Sequence, residues 1–419
     1  MKTQLCPLAP NGMRSATCEM PHMESISLGL WTETGSRHEP GRINGVAHFI
    51  EHLLFKGTSK RDAFAISREI EQLGASIDAF TVEDHTGYQI KGPADHTAPL
   101  IEILADLYLH PTFDSKEIES ERNVIHEEIA MVRDVPSQWL EDLLSRAAWG
   151  DHPLGCPITG TSTTLDAISR ESVVDFYHAG YTGRQTVFAA AGKLEHGRLS
   201  DLVSAAFGEM PRGEPLQMAP APAISPGLAF EQSDTEQANL AIGFHAFDRH
   251  DDRRFALKLL STMLGEIMSS RLFQTLREEE GLCYDVGSEV MAFADAGMLH
   301  CYIGLDPANV PAALESIRRV LRGFIERPPP QAELDAVKSY TIAQGRIALE
   351  NTSAQMAWAG DCLMSYGEVF SPQRAYEKFA AVTVAEIQTL AETLFSNDRL
   401  ILAGVAGAET QDALASFRI

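Results

Sequence analysis

The chain has 419 residues, 44% hydrophobic and 22% charged, which suits a soluble globular protein too long for one compact core. A formal charge of −24, from 34 basic and 58 acidic residues, argues against nucleic acid or an anionic membrane as partner. It leaves cationic peptides, or plain solubility, as what the acids serve. The cysteines (Cys6, Cys18, Cys156, Cys283, Cys301, Cys362) form no C-x-x-C pair and fit reduced thiols. The start lacks the apolar core of a secretion signal, and no apolar run approaches the ~18 residues of a membrane span. A cytoplasmic location is the expectation.

Residues 13–18 and 25–32 read as strands, the second alternating Ile26, Leu28 and Leu30 onto one side. A turn-rich loop, 35–41, leads into a short helix over 45–57 that Asn44 can cap and Gly57 can end. Residues 62–73 form an amphipathic helix closed by Gly74, and 76–92 a hairpin rich in Ile77, Phe80, Val82, Tyr88 and Ile90. Helices follow over 98–110, 114–132 and 137–149. Residues 155–164 read as loop, 169–179 as helix and 186–192 as a buried apolar strand.

Five prolines between Glu209 and Gly227 mark an extended linker near the midpoint, which raises the question of an internal duplication. Beyond it come a strand over 238–244, helices over 252–264 and 270–279, and strands within 287–305. Helices over 310–325, 331–348 and 352–364 precede a final helix and the strand Leu400 to Val405, which mirror the helix and strand of 171–192. The expected fold is α+β: two homologous domains, each a largely antiparallel sheet packed with helices. They would span 1–210 and 228–419, joined by the linker 211–227.

The helix over 45–57 carries the chemistry. His48 and His52 are four apart, so both imidazoles leave one face, and Glu51 lies beside them. Val46, Phe49, Ile50, Leu53, Leu54 and Phe55 make the rest apolar, so the helix should be buried. Polar groups in such a place are costly unless something satisfies them, and a zinc ion with a bound water would do so. The His-x-x-Glu-His order is the inverted form of the zinc-peptidase helix. Glu128 is the best third ligand, on a helix whose apolar stripe runs Ile118, Val124, Ile125, Ile129, Met131 and Val132. Glu121, two turns earlier, falls near the same stripe and suits a supporting place behind a ligand. Glu127 is a rival ligand, but it points about 100° away.

Three pieces of sequence resemble the M16 zinc metallopeptidases, the group containing mitochondrial processing peptidase and insulin-degrading enzyme. They are Gly35-Ser36-Arg37-His38-Glu39, the stretch Gly45 to Thr58, and Ala79-Phe80-Thr81 with His85-Thr86-Gly87-Tyr88. The spacing to Glu128 and Glu121 matches as well. The resemblance implies one zinc per chain on His48, His52 and Glu128, with Glu51 as general base and Glu121 supporting. It implies that peptide substrate adds as a strand along the edge carrying Ala79 and Phe80. Where the family has Asn before Ala-Phe-Thr, this chain has Asp78.

In the second half, Leu276-Arg277-Glu278-Glu279-Glu280-Gly281-Leu282-Cys283-Tyr284 resembles the family's Leu-Arg…Gly…Tyr segment. By resemblance Arg277 and Tyr284 hold substrate backbone or the developing oxyanion. The metal motif has no copy there, where Ser269-Ser270-Arg271-Leu272-Phe273 stands instead. Short chains of this family pair around a chamber, so a homodimer is expected, or a heterodimer with a paralogue. The reading is a zinc metalloendopeptidase. Its rivals are a scaffold subunit that keeps the fold without chemistry, and a pair of ordinary core histidines.

Overall fold

The computed structural model describes residues 2–419. The first half runs β1 (Lys2–Leu5), β2 (Arg14–Glu19), β3 (Ser25–Thr32), α1 (Val46–Leu54), α2 (Ala63–Gln72), β4 (Ser76–Thr81) and β5 (Thr86–Pro93). It continues with α3 (Thr97–Leu109), α4 (Ser115–Asp134), α5 (Pro136–Trp149), α6 (Ser162–Ala167), α7 (Arg170–Gly180), β6 (Thr186–Gly192) and α8 (His196–Phe207). After an irregular stretch come β7 (Gly227–Gln232), β8 (Ala238–His245) and α9 (Arg254–Ser261), then wide-turned π-helical segments Thr262–Glu266 and Phe273–Glu279. The chain closes with β9 (Cys283–Ala292), β10 (Gly297–Leu305), α10 (Val310–Glu326), α11 (Gln331–Ala348), α12 (Thr352–Tyr366), α13 (Pro372–Ala381), α14 (Val384–Leu394), β11 (Leu400–Ala406) and α15 (Ala408–Ala415). Among the described residues no helix is long and apolar enough to cross a membrane.

The strands form two sheets, ordered β1-β2-β6-β3-β5-β4 and β7-β11-β8-β10-β9. Leaving β1 aside, they have one topology. β2 runs parallel to β6 as β7 does to β11, and every other pairing is antiparallel. The α+β duplication expected from the sequence is therefore present strand for strand.

The compact units are not contiguous, unlike the expected division into 1–210 and 228–419. The first takes residues 1–129, 157–219 and 346–370; the second takes 130–156, 220–345 and 371–419. The reason is an apolar sheet face in each that needs a cover. In the first unit, Met356, Ala359 and Leu363 of α12 lie on Trp31, Val187, Ala189 and Ala191. Gly360 permits this approach, since a Cβ there would lie 2.5 Å from the Trp31 ring. In the second unit, Leu140, Leu144 and Trp149 of α5 lie among Ala241, Met298, Ile401 and Ala403.

On the opposite face of the first sheet, Phe49, Ile50 and Leu53 of α1 pack with Leu28, Leu30, Ile90 and Leu104. Each such side chain contributes roughly 1.5–3 kcal/mol by leaving water, enough to hold a nine-residue helix in place. On α4, Ile118, Glu121, Ile125 and Ile129 are buried, whereas Val124 and Met131 of the expected stripe are exposed.

Candidate metal centre

The start of α1 differs from expectation. Gly45 has φ +98°, and the cap is Glu39 rather than Asn44. The Glu39 carboxylate accepts the backbone N–H groups of Gly45 and Ala47, both at 2.7 Å, and the Asn44 side-chain amide at 2.9 Å. These satisfy donors that a helix N-terminus leaves open. Burial pushes the Glu39 acid up to about 8, against the pull of those three donors. The α-helix stops at Leu54, short of Gly57.

One turn apart, the His48 and His52 rings meet edge to face with centroids at 4.6 Å. Glu128 reaches both: its Oε2 lies 3.7 Å from His48 Nε2 and 3.8 Å from His52 Nε2. One ligand atom from each residue falls within 4.8 Å of the others. Zinc bonds of about 2.0–2.2 Å at tetrahedral angles put neighbouring ligand atoms about 3.3–3.6 Å apart, so these three fit one ion with small adjustments. Burial, and then the neighbouring His52, lowers His48 to about 3, so its imidazole is neutral near pH 7 and keeps a lone pair for a metal. Glu127 is exposed and outside this group.

Glu121, only 3% exposed, accepts from His52 Nδ1 at 3.1 Å with one oxygen and faces Lys56 Nζ at 2.6 Å with the other. The carboxylate thereby fixes the proton on Nδ1 and leaves His52 Nε2 free as a ligand. Lys56 was not anticipated, although it lies four residues after His52, the same spacing that relates the two histidines. Arg122 ties α4 down by donating to Ile168 O at 2.8 Å and lying over the Phe49 ring of α1.

Glu51 Oε2 accepts the Thr81 hydroxyl at 2.6 Å. Burial raises its acid; the Thr81 hydroxyl and His52 pull it back, while Glu128 and Asp78 push it further up. A carboxylate held that way is poised to take a proton. Thr81 ends β4, the last strand of its sheet, which also carries exposed Asp78 and half-buried Ala79 and Phe80. Phe80 packs edge-on against His85 at 5.8 Å. His85 is half-buried, and burial lowers it to about 4.

Arg277 and Tyr284 belong to the second unit. The Arg277 guanidinium lies 4.9 Å from the Phe273 ring centre and 5.4 Å from that of Tyr284, and Tyr284 is 76% exposed. The pair is thus assembled and open to solvent.

The family description "Insulinase (Peptidase family M16)" matches residues 14–162, and "Peptidase M16 inactive domain" matches residues 167–340. The chain is 34% identical over 388 residues to the uncharacterized zinc protease YmxG of Bacillus subtilis, covering 93% of this chain and 95% of that one. It is 34% identical over 393 residues to an uncharacterized zinc protease of Streptomyces coelicolor, with 91% and 85% covered. Its fold is similar to a protease from Helicobacter pylori at TM-score 0.91 and 21% identity, covering 97% of this chain and 99% of that one. It is also similar to a peptidase M16 inactive domain from Pseudomonas fluorescens at TM-score 0.90 and 19% identity, covering 97% and 98%. The chain belongs to peptidase family M16.

Proposed function

We propose that this chain is a zinc-dependent endopeptidase acting on peptides or unfolded segments, with one zinc on His48, His52 and Glu128. The observation that carries the reading is the convergence of those three ligand atoms within 4.8 Å, two of them from the helix that also holds half-buried Glu51. Zinc, when bound, polarises a scissile carbonyl and acidifies a water. Glu51 takes a proton from that water and returns it to the leaving amine. Thr81 holds Oε2 of Glu51 and so orients the carboxylate. Glu121 keeps His52 in the tautomer whose Nε2 faces the centre.

The outer edge of β4 offers backbone groups to an extended peptide, which would lie along Ala79 and Phe80 as an added strand. Arg277 and Tyr284 are assigned to steadying substrate and oxyanion. Two chains, identical or paralogous, would enclose a chamber in the cytoplasm that admits only unfolded segments. Relatives named as zinc proteases support the hydrolytic reading.

A solved relative titled as an inactive domain favours a second reading, a scaffold without chemistry or half of a heterodimeric peptidase. Cleavage of a quenched peptide, abolished by chelator and restored by zinc, separates the two, with Glu51→Gln as the inactive control. Metal content and solution mass accompany it. A chain that binds no zinc and cleaves no member of a diverse peptide set overturns the proposal.

A further inference from the structure

The two histidines of α1 are held in different ways. His52 Nδ1 pairs with Glu121 Oε2 at 3.1 Å, which fixes the direction of its ring. His48 has no such support: its Nδ1 is buried without a hydrogen-bond partner among the described residues. A ligand ring that no side chain orients takes its direction from the backbone that carries it. His48 stands in the first turn of α1, where the helix's own hydrogen bonds leave N–H groups unpaired.

Glu39 fixes that turn from outside the helix. Its Oε1 accepts the N–H of Ala47, the residue before His48, and its Oε2 accepts the Gly45 N–H and the Asn44 amide. Asn44 also donates to the Pro157 carbonyl at 3.0 Å, so the turn is held from both sides. Glu39 is placed in its own turn by backbone. The N–H groups of Ser36 and Arg37 donate to the Val82 and Glu83 carbonyls at 3.2 and 3.1 Å, just beyond Thr81. The β4–β5 hairpin therefore grips α1 at two points. Thr81 takes the middle through Glu51, and the loop carrying Glu39 takes the start.

We propose that Glu39 is a positioning residue of the metal centre, aiming His48 Nε2 at the ion through the first turn of α1. It touches neither metal nor substrate, and its role rests on the reading of His48, His52 and Glu128 as zinc ligands. Alanine at 39 would leave the Gly45 and Ala47 N–H groups without an acceptor, and the turn would shift to find others. His48 moves with that turn, whereas Glu121 keeps His52 in place. The loss should fall on metal affinity, by the factor of about 10 to 100 that goes with losing an outer partner of a metal-ligating histidine.

The test is zinc affinity of the full chain in competition with a fluorescent chelator, with visible spectra of the cobalt(II)-loaded chain as the readout of geometry. Glu39→Ala should bind zinc about tenfold to hundredfold more weakly, and its cobalt bands should shift or lose intensity. Glu195→Ala is the control. Glu195 likewise caps a helix, α8, accepting the Gly197 and Arg198 N–H groups at 2.9 Å, and its removal changes the net charge equally. That variant should keep zinc within about twofold of the wild type, with unaltered cobalt bands.

The wild type supplies a second measurement that needs no substitution. Coupling between sites is reciprocal, so zinc loading should slow amide hydrogen exchange across residues 44–49 and leave residues 195–200 unchanged. A folded Glu39→Ala chain with wild-type affinity and cobalt bands overturns the positioning role, as does an equal loss in Glu195→Ala. So does zinc loading that leaves exchange over 44–49 as it was. Wild-type zinc binding matched by Glu39→Ala removes this role alone; a wild type that takes up no zinc removes the metal reading with it.

Discussion

Glu121 makes the most demanding test of the centre, because its effect passes through His52. Its Oε2 lies 3.1 Å from His52 Nδ1. The width of an imidazole and one metal bond place that carboxylate about 7 Å from an ion on Nε2. At an effective dielectric of about 20, a unit charge and a dication at that distance interact by about 5 kcal/mol. The Lys56 ammonium, 2.6 Å from the other oxygen and one-third exposed, cancels about half and is free to swing into water once Glu121 is lost. What remains, about 1.4–2.7 kcal/mol, is a tenfold to hundredfold effect on zinc affinity, as expected for a group that orients a ligand.

Glu121→Ala should therefore weaken zinc by that factor in competition against a fluorescent chelator. Glu121→Gln, which can still accept from Nδ1, should fall near the lower end. Lys56→Met should act in the opposite sense: it uncovers the Glu121 charge, so zinc binds as well or better. The fold would lose about 1–3 kcal/mol, discounted for the partial exposure of Lys56. The reasoning is refuted if Glu121→Ala holds zinc like the wild type, or if Lys56→Met weakens it equally.

Glu51→Gln should lower kcat by about 10²–10⁴ while leaving zinc content intact, measured by steady-state kinetics and elemental analysis. Thr81→Val removes a hydrogen bond that lowers the Glu51 acid, so the acidic limb of the activity profile should move to higher pH. Gly45→Ala should destabilise the chain by 2 kcal/mol or more, on the order seen for strained or overpacked positions, in a denaturant titration. The backbone there has φ +98°, and a new Cβ would lie 2.6 Å from the Thr159 carbonyl oxygen.

His85 is held near 4 in the fold and titrates near 6.5 when unfolded, so the unfolded chain binds its proton first as pH falls. Stability from keeping it neutral is whole above pH 6.5 and is lost on descending toward 4. His85→Gln should reduce the slope of stability against pH in that window by about one proton.

Local spacing explains what the sequence made legible. The separations of four from His48 to His52 and seven from Glu121 to Glu128 are helical repeats that survive folding unchanged. Glu39 was hidden because a loop side chain reaches forward six and eight residues to cap α1, a distance set by the turn at Gly45. Lys56 obeyed the readable spacing but lies beyond the last helical residue, where the side-chain direction depends on how the turn closes. The short strand β1 has only four residues, too few for alternation to show. The segments 137–149 and 352–364 also read as helices; which sheet each would cover depends on contacts far away along the chain.

That exchange of covers bears on how the molecule can be divided. Each half of the polypeptide withholds from itself a helix that the opposite half requires. A fragment ending at the proline-rich stretch would leave Trp31 and its alanine neighbours wet, and the complementary fragment would strand Ile401 and Ala403 in the same way. The two pieces are thus expected to be insoluble alone and recoverable only when made together. A single cut in the linker of the finished protein would leave them joined.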